Sequence, residues 1–164
     1  SKDAAGMFKN DSTFHKDIPA ILAAGLSYDF TDNFRGSFSY TYYFDKNADW
    51  EGREKLLDNN LYELAGSIEY DVTPLLTLSC GYQRGFSGAT GDFNTDMDFS
   101  LQCNTYAIGG RFNIGEKLKL DFGWMSSHYD CMTAAKVDAT SGLKHNETFD
   151  KINNAISFGI SYTF

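Results

Sequence analysis

Residues 154–164, NAISFGISYTF, alternate with a period of two: Ile156, Phe158, Ile160, Tyr162 and Phe164 fall on one parity, and Ser157, Gly159, Ser161 and Thr163 on the other. Successive side chains of a strand point to opposite faces, so this stretch is read as a strand with one greasy face and one small, polar face.

The same alternation runs through the chain from Pro19. Spans 19–31, 34–44, 60–72, 75–86, 103–114 and 117–129 each set large apolar residues on one parity against Ser, Gly, Thr and charged residues on the other. With the closing stretch, these predict seven strands. They are joined alternately by short turns (Thr31-Asp32-Asn33, Thr73-Pro74, Gly115-Glu116) and long polar loops at 45–59, 87–102 and 130–153. Residues 1–18 are polar without a sustained period and are read as a further loop.

Composition points the same way. The chain has 10 Tyr, 14 Phe and 15 Gly but only 2 Pro, which is unlike a soluble globule. No apolar run reaches the roughly 18 residues of a membrane helix, whereas membrane strands dilute their apolar positions with polar ones and leave little hydropathy signal. The net charge of −8 offers no basic stripe for phosphates, which argues against a nucleic-acid partner. Cys80, Cys103 and Cys131 are an odd, widely spaced set and no disulfide framework, leaving open one bridge between Cys103 and Cys131.

Short turns at one end, long loops at the other and alternate residues facing lipid describe an antiparallel transmembrane β-barrel. A strand of about 11 residues, rising ~3.4 Å per residue and tilted by about 40°, spans a little under 30 Å, which fits the apolar band of such barrels. The charges at Arg35, Glu63, Glu69, Arg111, Lys119 and Asp121 fall on the inward parity, where a wet interior holds them. Arg84 shares the aromatic parity but lies near a strand end, where a charge costs less. Tyr28, Phe34 and Phe112 mark one aromatic girdle near the short turns, and Tyr42, Tyr82 and Phe86 mark another toward the loops.

If Phe164 lies at the periplasmic rim, the first strand also runs downward and begins on the extracellular side. Complete single-chain bacterial barrels have an even strand number. Seven strands, in a chain that starts at Ser1 without an initiator Met, are therefore expected to be part of a larger barrel, with residues 1–18 as an extracellular-side loop.

The stretches DIPAILAAGLSYDFTDNFRGSFSYTYYF (17–44), LAGSIEYDVTPLLTLSCGYQRG (64–85) and YAIGGRFNIGEKLKLDFGW (106–124) resemble the C-terminal half of the FadL/TodX family of outer-membrane transporters for long-chain fatty acids and other hydrophobic compounds. The resemblance implies a barrel of about fourteen strands in the bacterial outer membrane, an upstream hatch, passive uptake with no cofactor, and no bond chemistry. The ending SFGISYTF is similar to the terminal assembly signal of outer-membrane proteins, which assigns Tyr162 and Phe164 to recognition by the barrel-assembly machinery. Other expected partners are the lipid bilayer and hydrophobic small molecules. The alternative is a small OmpA/OmpX-like barrel of eight strands with a structural or adhesive role, residues 1–18 supplying the missing strand.

Site chemistry is sparse. His128, Asp130 and Cys131 match no tetrahedral metal spacing, and Asp92, Asp96 and Asp98 lack the regular ligand alternation of a calcium loop. Ser126 and His128 share a face, but the lipid-facing one, which disfavours a hydrolase. The ligand candidates are Arg35, Arg111 and Lys119, which face the lumen and suit a carboxylate head group. The competing reading pairs them across strands with Glu63, Glu69 and Asp121 to hold the interior together.

Overall fold

The computed structural model describes residues 16–95, 98–115, 117–137 and 141–164; the expected loop at 1–18 therefore lies almost wholly outside the described residues, as do Asp96 and Glu116. Among these residues there are nine strands: β1 (Ile21–Thr31), β2 (Phe34–Tyr43), β3 (Tyr62–Thr73), β4 (Leu76–Phe86), β5 (Cys103–Ile114), β6 (Leu118–Tyr129), β7 (Met132–Val137), β8 (Lys144–Phe149) and β9 (Ile152–Tyr162). Seven form one antiparallel sheet in the order β1-β2-β3-β4-β5-β6-β9, and β7 pairs only with β8. Among the described residues no helix is long and apolar enough to cross a membrane.

Register keeps the two faces pure. Tyr42 pairs with Leu22 and Tyr62, Ile108 with Cys80 and Trp124, and Trp124 with Ile156, so even-numbered residues meet even-numbered residues throughout the sheet except at the turn-end shifts Thr31/Phe34 and Thr73/Leu76. A slip by one residue on any strand would turn its apolar set to the wrong face. Of the glycines on the apolar face, Gly36 and Gly110 are roofed by aromatic rings of a neighbouring strand: a Cβ at Gly36 would sit 2.8 Å from the Phe30 ring, and one at Gly110 would collide with the Phe122 ring.

This face is not buried. Phe158 is 84% exposed, Ile160 76%, Ile156 71% and Leu26 64%, while every buried apolar residue described (Ala48, Leu57, Ala89, Phe93, Leu101, Ala134, Phe149) lies outside the seven-stranded sheet. A contiguous apolar face far beyond a few hundred Å² marks contact with a membrane or a partner. The sheet is thus built inside out relative to a soluble sandwich, and its polar groups, Thr77 and Ser127, are the ones with least exposure on its other face.

Among the described residues the sheet does not close on itself. β1 and β9 are its edges there, and alternation of direction across seven strands makes them run the same way, so they cannot pair antiparallel with each other.

The stretch 130–153, read as loop from sequence, instead holds the β7–β8 hairpin, which packs into a cap over the long-loop end. Leu101, Ala134 and Phe149 form one small core with Phe99, Tyr129 and Met132. Leu57, Ala89 and Phe93 form another with Trp50. The loops at 45–59 and 87–102 are joined through the Leu57–Ala89 bridge and an Asp58 N–H to Gly88 carbonyl bond of 2.8 Å. Lys136 on β7 donates to the carbonyls of Gly91 (2.6 Å) and Asn94 (2.8 Å).

Candidate functional site

The inner face divides into three zones. Midway along the strands, Ser27, Ser37, Ser67, Gly81, Ala107 and Ala155 lie in one register row, interrupted only by Met125. Ser37 and Ser67 close a hydroxyl–hydroxyl bond of 2.7 Å. With so little side-chain volume the wall is smooth there, and a shallow groove of about 270 Å³ runs past Ser39, Ala65, Gln83 and Met125.

Toward the short turns the wall is ionic. The Arg35 guanidinium donates from Nε to Glu69 Oε1 (2.8 Å) and from Nη1 to Asp71 Oδ2 (2.9 Å), with a further Nη2 bond to Glu69. Asp71 in turn accepts from Thr77 Oγ1 at 2.6 Å. Thr77 is the cross-strand neighbour of Arg111, which donates to Asp121 at 2.7 Å. Two polar groups therefore lie side by side on the lower wall, one spanning β2 to β4 and the other β5 to β6. Toward the loops, Glu63 accepts from the Tyr43 hydroxyl (3.1 Å) and Thr105 bonds Ser127 (2.7 Å).

The three cationic candidates fare differently. Arg35 and Arg111 are held by carboxylates of the next strand, as the structural reading of their charges expected for Glu69 and Asp121. Lys119 stands exposed opposite Asn113 and Ser161, with no hydrogen-bond or ion-pair partner among the described residues. Glu63 bonds a tyrosine rather than an arginine. Asp71 was the partner that charge counting missed. Its inward parity was visible, but its reach to Arg35 is diagonal, two residues beyond the direct partner Glu69.

The cap closes the loop end with its own electrostatics. Asp98 accepts from Lys16 (3.2 Å) and Arg53 (2.8 Å). Burial raises its carboxyl, but these hydrogen bonds outweigh that and hold it below the ordinary carboxylate range. Asp45 shows the reverse: burial pushes it up, only partly offset by the Leu61 N–H it accepts.

Among the described residues no cluster of three or more His, Cys, Asp or Glu is placed to hold a metal ion, and Cys80, Cys103 and Cys131 are free thiols. Ser126 Oγ and His128 Nε2 do meet, at 2.9 Å, on the apolar side of the sheet. On that side, around Gly36 and Gly66, a groove of about 500 Å³ is flanked by Leu26, Phe38, Ile68 and Tyr82.

No family model and no curated protein matches the chain. Among solved structures it is similar to a Pseudomonas aeruginosa FadL homologue, with a TM-score of 0.67 and 16% identity over 88% of this chain and 35% of that one. It is also similar to the P. putida toluene transporter TodX, with a TM-score of 0.55 and 14% identity over 89% of this chain and 35% of that one. The chain thus spans about a third of the length of the proteins it matches, and the likeness is one of fold: it carries part of a FadL-like barrel wall.

Proposed function

We propose that this chain is the C-terminal part of a barrel of about fourteen strands in the bacterial outer membrane, through which long-chain fatty acids or other hydrophobic compounds pass without chemical change. The observation that carries this reading is the inside-out sheet, with an apolar outer face of Leu26, Phe38, Ile108 and Phe158 and a Ser/Gly/Ala inner wall. The FadL-like fold supports it. So does the chain's span of only 35% of each of the two solved structures, which favours the larger barrel over the eight-stranded structural or adhesive alternative.

In this reading the long loops at 45–59, 87–102 and 130–153 are extracellular and the short turns periplasmic. The smooth middle of the wall offers no deep well to trap a solute, and passage requires binding weak enough to leave. Arg35 and Arg111 are spoken for by carboxylates, so Lys119 is the residue here left to meet an anionic head group near the periplasmic rim. Tyr162 and Phe164, edge to face with centroids 5.3 Å apart, present the assembly signal.

Uptake of radiolabelled long-chain fatty acid and of toluene by cells with the full-length gene, against a deletion strain, is the test. Loss of either flux in the deletion, restored by the gene, is expected; equal fluxes of both would remove the transport reading.

A further inference from the structure

The outer face is not equally tall all round. On β2 every outward position from Phe34 through Phe44 is aromatic or glycine, and on β3 the outward run from Tyr62 to Val72 is likewise unbroken by a charged or amide side chain. On β6 the apolar run stops at Trp124 and gives way to Ser126, His128 and Asp130; on β5 it stops at Tyr106, above which lie Asn104 and Gln102.

Heights can be compared along each strand from its own short turn, which removes the stagger between strands. At ~3.4 Å per residue and a tilt of about 40°, the runs on β2 and β3 rise about 26 Å, close to the ~25 Å apolar band of such barrels. By the same measure Ile114 to Tyr106 rises about 21 Å and Leu118 to Trp124 about 16 Å. The band is short by one outward step on β5 and by two on β6.

The polar patch above the step is joined internally. Ser126 bonds His128 (2.9 Å), Tyr82 donates to Asn104 (2.7 Å), and Arg84 reaches Gln102 (2.8 Å) and Asp130 (2.7 Å). Its charges are thereby closed within the chain, leaving exposed amide, imidazole and hydroxyl groups at Asn154, His128 and Tyr106. Immediately below it, the last apolar residue on β4, β5 and β6 is Tyr82, Tyr106 and Trp124 respectively, before Arg84, Asn104 and Ser126. Tyr and Trp are the side chains that settle at a water–lipid boundary. Phe86, above Arg84, stacks on Tyr62 of β3 and belongs to the tall side.

We propose that the head-group layer of the outer leaflet dips against β5 and β6, by about 5 Å and 10 Å, and seats on the Asn104/His128/Asn154 patch, beneath which Ser126 is buried. A band shorter than the bilayer is met by local thinning, and the aromatic boundary follows the step down. Exposed Gln102 and Asp130 connect the patch to the solvent at the loop end, so head groups reach it from above without crossing apolar surface. The inference rests on the membrane placement proposed above.

The depth of Trp124 tests it. The full-length protein, in phosphatidylcholine vesicles carrying lipids brominated either near the head group or near the chain end, is compared with its Trp124→Phe variant, and the difference signal reports this indole. The shallow bromines are expected to quench it at least twofold more strongly than the deep ones. Stronger quenching by the deep bromines would place Trp124 well inside a uniform band and overturn the proposal. A second measurement uses spin labels at His128→Cys and Tyr62→Cys, which occupy equivalent outward steps on β6 and β3, with Cys80, Cys103 and Cys131 changed to Ser. A polar nickel chelate should reach the His128 site several times better than the Tyr62 site. Equal access, or exclusion of both nickel and oxygen from the His128 site by a protein neighbour, would sink the idea. A label at Phe38→Cys that prefers nickel to oxygen would instead overturn the membrane reading itself.

Discussion

Arg35 on β2 and Asp71 on β3 are locked by two parallel hydrogen bonds, Nη1 to Oδ2 at 2.9 Å and Nη2 to Oδ1 at 3.2 Å. The same guanidinium also holds Glu69, so one cation keeps two inward carboxylates of one strand apart. Removing it should leave like charges on neighbouring inward positions. Arg35→Met is expected to lower the unfolding midpoint of the full-length protein, and adding Glu69→Gln should recover part of the loss. A double variant less stable than Arg35→Met alone would show that the pair is incidental.

Lys119 is the contrasting case, an inward cation without a carboxylate partner among the described residues. Lys119→Gln is expected to leave the unfolding midpoint unchanged while slowing uptake of a carboxylated solute by several-fold and sparing a neutral one such as toluene. Equal slowing of both solutes would assign the lysine to the wall rather than to an anionic cargo.

The cap should be fragile at its two small cores. Phe93 is 6% exposed and lies beneath the Arg53 guanidinium, 4.7 Å from its ring centroid. Phe93→Ala opens a cavity and costs about 3 kcal/mol of local stability. Limited proteolysis should then cut within 87–102 while the strands stay protected; an unchanged cleavage pattern would count against a packed cap.

Gly88 predicts a steric failure of another kind. A Cβ there would run into the backbone of Asn59, which has no rotamer to yield, so Gly88→Ala should cost about 3 kcal/mol. At Gly115, with φ of 66° and open space around it, the penalty is conformational alone. Gly115→Ala should cost about 1 kcal/mol. Chemical denaturation of both variants checks the order, and a larger loss at Gly115 would contradict it.

Acid should act on the cap in two opposed ways. The Asp98 carboxyl is held below its unfolded value, so its contribution is complete above about pH 4 and is lost as pH falls through the folded value. Asp45 is held above its unfolded value, so its contribution is complete below about pH 4 and fades as pH rises through the folded value. Amide exchange in the loops across this range should lose its acid sensitivity in Asp98→Asn. In Asp45→Asn the gain in protection as pH falls toward about 4 should disappear while the loss below that pH remains; a retained gain would reverse the assignment.

The wall was legible because its physics is local. A strand between lipid and lumen must alternate, and Phe158 beside Gly159 or Ile108 beside Gly109 announces this without reference to any other part of the chain. The cap was opaque for the opposite reason. Lys136 finds Gly91, and Phe149 finds Leu101, across loops whose sequences carry no period, and Met132–Val137 is too short to stand out as a strand beside its polar neighbours. Of the site, the inward charges followed from parity, while the carboxylate that each of Arg35 and Arg111 takes, and the lack of one for Lys119 among the described residues, depended on the register between strands.

The shared direction of β1 and β9 has a consequence of arithmetic. An arc whose two rims point the same way becomes a fully antiparallel cylinder only when an odd number of strands fills the gap, with the first and last both running against the rims. Two copies of the arc, each with its cap on the same side of the membrane, would meet parallel at both seams. A homodimeric pore would therefore need two parallel seams, whereas an odd complement of strands closes the wall with antiparallel pairing throughout.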